Sequence, residues 1–142
     1  MSVLDVSIPK TVWVHEVGER NGAGARNAGR ADRQPVDDAG PWESAVRTIA
    51  GFQHLADDWD GAGAKAPPGD LLASAIALAY LLNEKGLPPP DRVVPGLTGS
   101  VIIEWQGQDG SYTEIEIVRP FYAEVMMIEP GQAAKHWTLP TE

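Results

Sequence analysis

Three runs late in the chain, Ser100 to Gln106, Thr113 to Val118 and Phe121 to Ile128, alternate apolar and acidic residues with a period of two. That period belongs to strands, and it constrains the fold more than any other feature. Val101, Ile103 and Trp105 share one parity, as do Ile115 and Ile117, while Glu104, Glu114 and Glu116 take the other. Phe121, Ala123, Val125 and Met127 continue the apolar side and Glu124 the acidic one. A two-residue turn at Asp109-Gly110 would set Trp105 opposite Glu114 and mix the faces, because directly opposed residues point the same way. A three-residue loop, Gln108-Asp109-Gly110 with Gly110 left-handed, instead pairs Glu104 with Glu114 and Ile103 with Ile115. The same test gives an odd-length loop around Arg119-Pro120 and sets Glu116 beside Glu124. The expectation is an antiparallel meander with one apolar face and one acidic face.

Two helices supply what the apolar face packs against. Pro41 at a first helical position, with Glu43 in the first turn, opens a helix in which Trp42, Val46, Ile49 and Leu55 fall near helical spacing, ending around Ala56. Pro68 or Asp70 opens a second, in which Leu71, Leu72, Ala75, Ile76, Leu78, Ala79 and Leu82 recur at three and four and Gly86 stops the run. Alanines at 73, 75, 77 and 79 suit close packing on a sheet. Between the helices, Leu55 to Ala64 runs through Asp57-Asp58-Trp59-Asp60-Gly61-Ala62-Gly63 into Pro67-Pro68, a tight polar joint. Pro88-Pro89-Pro90 and Pro95-Gly96 read as a stiff connector, and the tail from Glu129 as irregular, anchored by Trp137 and Leu139. The fold class expected is α+β, with two helices on one face of a three- to four-stranded antiparallel sheet.

The 142 residues divide unevenly. Residues 1–17 hold a candidate N-terminal edge strand, Thr11 to Val17, in which Val12 and Val14 alternate. Residues 18–40 are rich in Gly, Ala, Asn, Arg and Asp with one valine, too little apolar surface to offset the entropy of ordering, and read as a flexible linker. Its Arg20, Arg26, Arg30 and Arg33 suit phosphate or an acidic surface, against the plain reading of a solvated tail. Residues 41–142 form a single domain.

The net charge of -9 repels nucleic acid and anionic membranes and favours a basic protein or a cation. The absence of cysteine removes disulfides, thiolate metal sites and thiol catalysis, and fits a reducing compartment. Residues 1–10 lack a basic region followed by an apolar core, and no apolar run approaches the roughly 20 residues of a membrane helix. A cytoplasmic protein is expected.

Two constellations compete as the functional site. The first is the acidic sheet face, Glu104, Glu114, Glu116 and Glu124, read plainly as solvated glutamates that deter sheet stacking and functionally as a docking surface for a basic partner. The second is the Trp59, Asp60, Gly61, Gly63, Lys65 turn, where amides and a following helix N-terminus suit a small ligand or metal. A calcium loop fails there, since its first and closing ligand positions would be Ala56 and Pro67. His54 and Asp58, one helical turn apart, form no complete metal set. His15 and His136 have no serine motif to serve, so no catalytic constellation and no cofactor is expected.

The turn Trp59-Asp60-Gly61-Ala62-Gly63-Ala64, then Pro67, Pro95, Gly99, Glu104-Trp105 and Glu114-Ile115-Glu116-Ile117, resembles a family of short uncharacterised bacterial proteins over Leu55 to Ile128. The resemblance implies a shared fold and no particular activity, and residues before Gly40 do not match it. Size and charge together point to a non-enzymatic interaction protein, antitoxin-, immunity- or phage-defence-accessory-like, that binds a larger basic protein. The alternative is a small-ligand or metal module at the Trp59–Lys65 turn.

Overall fold

The computed structural model describes residues 40–140 of the chain. The expected edge strand at 11–17 and, Gly40 apart, the linker at 18–40 lie outside the described residues. The fold is α+β, with an antiparallel sheet in the order β1 (Arg92–Pro95), β2 (Val101–Gln106), β3 (Tyr112–Arg119), β4 (Tyr122–Ile128), β5 (Lys135–Leu139). Five strands replace the expected three or four. Part of the supposed connector is β1, where Pro95 is tolerated because an edge strand has one side of its backbone unpaired. Part of the supposed irregular tail is β5, paired with β4 through Val125 opposite Trp137 and Ala123 opposite Leu139.

The register follows the parity argument. Glu104 stands opposite Glu114 and Ile103 opposite Ile115, while Glu116 stands opposite Glu124. The β2–β3 loop closes with Gly107 N–H donating to Ser111 O at 2.9 Å, and Gly110 has φ +91°. At the β3–β4 turn the odd count arises from a register shift between Ile117 and Arg119 beside a two-residue turn, Pro120-Phe121, with Phe121 left-handed at φ 58°.

The first helix is shorter than its periodicity suggests. A 3₁₀ turn, Gly40–Trp42, leads into α1 (Glu43–Gly51), and a second 3₁₀ turn, Phe52–His54, ends it, leaving Leu55 extended and outside the buried core. Helix α2 (Gly69–Glu84) stops as expected at Gly86, φ +89°, where Leu87 N–H reaches back to Leu82 O at 3.1 Å. Ala75 and Ala79 are fully buried, but Ala73 is exposed, so the alanines do not form one continuous packing stripe.

Trp42, Val46 and Ile49 from α1 and its leading turn, Leu71, Leu72, Ala75, Leu78, Ala79, Leu81 and Leu82 from α2, and Val101, Ile103, Ile115, Ile117, Ala123, Val125 and Leu139 from the sheet form one buried cluster. Two tryptophans fasten it. Trp42 and Trp105 meet edge to face at 5.9 Å. Their indole N–H groups donate to successive carbonyls of the connector, Leu87 O at 3.1 Å and Pro88 O at 2.8 Å, so the chain leaving α2 is held against the sheet. No described helix is long and apolar enough to cross a membrane.

Candidate functional site

Alternation puts the even-numbered residues of β2, β3 and β4 opposite the buried cluster. The pairings carry two rows across this outward face. Arg92, Glu104, Glu114, Met126 and His136 form one, and Val94, Ile102, Glu116, Glu124 and Thr138 the other. All four glutamates expected on one face are brought together in the two rows. The face is not uniformly acidic, because Ile102, Met126 and Val94 leave half-buried apolar surface between the carboxylates.

Like charges directly opposed cost a few tenths to about 1 kcal/mol per pair, and three contacts relieve that cost here. Arg92 Nε donates to Glu104 Oε1 at 3.0 Å, and the Glu104 side chain is 13% exposed. The Tyr112 hydroxyl donates to Glu114 Oε1 at 2.8 Å. Burial, the hydrogen bond to Glu114 and the charges of Glu114 and Glu104 push the Tyr112 hydroxyl well above its ordinary 10.0, so it stays a donor through the alkaline range. The Ser100 hydroxyl donates to Glu116 Oε2 at 2.6 Å. Gly96 permits this last contact, since a Cβ there would collide with the Ser100 hydroxyl. Glu124 is exposed.

Arg92, Tyr112 and Ser100 were not singled out from the sequence. Arg92 becomes visible only once β1 is recognised as a strand opposite β2; Tyr112 lies one residue before the strand boundary expected for β3. Beside β1 the face opens into a cleft of about 490 Å³ lined by Asp91, Arg92, Glu104 and Gln106. Asp91 helps shape it, its Oδ2 accepting Gln106 N–H at 2.6 Å.

The Trp59–Lys65 turn is a different kind of carboxylate cluster, one that closes on itself. Asp60 Oδ1 accepts Ala62 N–H at 2.9 Å and Ala64 N–H at 3.0 Å. Asp58, left-handed at φ 68°, accepts Gly63 N–H at 2.7 Å, and Asp57 accepts Ala66 N–H at 3.0 Å. The Trp59 indole donates to Lys65 O at 3.0 Å across the loop. Lys65 N–H then donates to Leu97 O at 2.9 Å, docking the turn on the β1–β2 hairpin. Amide donors from Ala62 and Ala64 hold the Asp60 carboxyl below its ordinary 3.8. Gly61 and Gly63 take φ +76° and +94°, which explains glycine there without a ligand. His54 and Asp58 are not drawn into a metal set, and among the described residues no three His, Asp or Glu side chains converge to hold a metal.

Trp105, a core residue 1% exposed, is not part of the outward face. No family model, curated protein or solved structure matches the chain.

Proposed function

We propose that the chain is an acidic, non-enzymatic docking protein whose outward sheet face, Glu104, Glu114, Glu116 and Glu124, receives a basic segment of a protein partner. In this reading both helices cover the opposite face and leave this one to the partner. The observation that supports it is the pairing of glutamate with glutamate across two strand pairs, Glu104 with Glu114 and Glu116 with Glu124. Aligned carboxylates suit lysine or arginine side chains, whose stems cover the apolar surface of Ile102 and Met126 while their heads meet the carboxylates. The Trp59–Lys65 turn is assigned a structural role, because its carboxylates already accept the amides of their own loop.

Immobilised protein should retain a basic protein from extract at low salt and release it as salt screens the charges. Glu114→Gln with Glu116→Gln should abolish that retention, and Asp70→Asn with Glu84→Gln, an equal charge change on α2, should not. Equal weakening by both pairs would show a bulk charge effect and overturn the reading.

A further inference from the structure

We infer that the cleft beside β1, lined by Asp91, Arg92, Glu104 and Gln106, is a binding site for a free dibasic amino acid of the lysine or arginine class. This goes beyond the docking reading, with which it shares only Glu104.

The cleft is held in shape by its own residues. Asp91 N–H donates to Glu104 O at 2.9 Å, and Asp91 Oδ2 in turn accepts Gln106 N–H at 2.6 Å. Arg92 Nε and Nη2 donate to the two oxygens of Glu104, the least exposed of the four residues, at 3.0 and 3.5 Å. Behind them the Trp105 indole donates to Pro88 O at 2.8 Å, so the connector that leads to Asp91 is fixed on the sheet. A ligand therefore meets charges whose positions are already set, which lowers the ordering cost of binding. The volume, about 490 Å³, is ordinary for a small-molecule site.

The arrangement of charge selects the ligand. The lining holds two carboxylates and one guanidinium, so its complement carries two cationic groups and one anionic group. A diamine sets a like charge against Arg92, and a dicarboxylate sets like charges against Asp91 and Glu104. A free dibasic amino acid offers its α-carboxylate to Arg92 and its α-ammonium and side-chain cation to the two carboxylates. Each lining group keeps capacity for this. A guanidinium has more N–H donors than Glu104 engages, and Asp91 spends Oδ2 on Gln106 and retains Oδ1. The exposed amide of Gln106 adds a neutral donor and acceptor at the rim. A lysine or arginine within a protein chain lacks the free α-groups, so this site and a docking surface take different ligands.

Titration of the full isotope-labelled chain with L-lysine should shift the amide signals of Arg92 and Gln106 to saturation and leave that of Leu78 in α2 in place. Cadaverine, which is lysine without its carboxylate, supplies the decisive comparison. Attraction to an acidic surface alone favours cadaverine, because it carries more positive charge. A cleft that reads the carboxylate through Arg92 instead binds lysine more tightly, by about tenfold for one charge-assisted contact. Arg92→Gln should erase that preference, and the comparison in the parent protein needs no variant to fold. Cadaverine bound as tightly as lysine, no saturable shift at Arg92 and Gln106, or an equal shift at Leu78 would overturn the inference. Equal binding of lysine capped at both α-groups would overturn it too, and would assign the cleft to a partner's side chain.

Discussion

The molecule holds two groups of carboxylates that look alike in the sequence and differ in what they do with their charge. In the joint between the helices, Asp57, Asp58 and Asp60 turn back onto amides of their own loop. On the sheet, the strand backbone spends its amides on the ladder, so Glu104, Glu114, Glu116 and Glu124 find none and stand side by side. Short side chains in a turn can reach the backbone; glutamates perpendicular to a sheet cannot. Acidic density therefore marks a structural element in the first case and an outward-facing charged surface in the second.

The largest effect is expected in the turn. Gly63→Ala forces a side chain onto φ +94°, and a loss of about 1–2 kcal/mol in chemical denaturation is expected from that backbone alone. A denaturation midpoint equal to that of the parent would mean the turn is not rigid, and the contrast with the sheet would weaken.

Asp60 sharpens the same point through pH. Its carboxyl titrates below 3.8 in the folded chain, so the stabilisation it provides is fully present above 3.8 and is lost as pH falls from there through the lowered folded value. Asp60→Ala should lower the Tm near neutral pH and flatten part of the acid limb of a Tm-against-pH profile. Asp109, held below 3.8 chiefly by the Ser111 amide and then its hydroxyl, titrates in the same window and keeps the rest of that limb. An unchanged profile would count against the hydrogen bonds to Ala62 and Ala64.

On the sheet, Tyr112→Phe removes the hydroxyl that donates to Glu114 and leaves that carboxylate facing Glu104 undiluted. A loss of about 0.5–1.5 kcal/mol is expected. Combining it with Glu114→Gln should recover part of the loss, since the repulsion goes with the charge; a double-mutant cycle with no coupling would show that the hydroxyl relieves nothing.

Much of this contrast is legible in the chain. The register of β2, β3 and β4 follows from parity, because a slip of one residue would exchange Ile103, Ile115 and Ile117 for glutamates in the core. α2 follows from its spacing and from Gly86. β1 is concealed by its four-residue length and by the prolines that flank and end it. β5 is concealed by Lys135 and His136, although Trp137 and Leu139 preserve the two-residue period. The candidate face was readable as a set of glutamates but not as a network, since Arg92, Tyr112 and Ser100 reach it through contacts 12, 2 and 16 residues apart. Periodicity misses Tyr112 only because the strand begins one residue earlier than expected, and it carries no record of the Arg92 and Ser100 pairs. The clasp of Trp42 and Trp105 on Leu87 and Pro88 is concealed for the same reason.

The central claim is that the sheet's carboxylates, held only by side-chain donors from Arg92, Tyr112 and Ser100, keep capacity for a basic partner, whereas those of the turn are engaged by the amides of their own loop. Glu114→Gln with Glu116→Gln tests it when Tm and deca-arginine affinity are measured on one sample across a salt series. The account predicts a Tm equal to or above that of the parent, as about 0.2–1 kcal/mol of cross-strand repulsion is relieved, together with weakened peptide binding at low salt that converges with the parent at high salt. Peptide affinity identical to the parent at low salt would contradict it and leave the acidic face as a solubility feature.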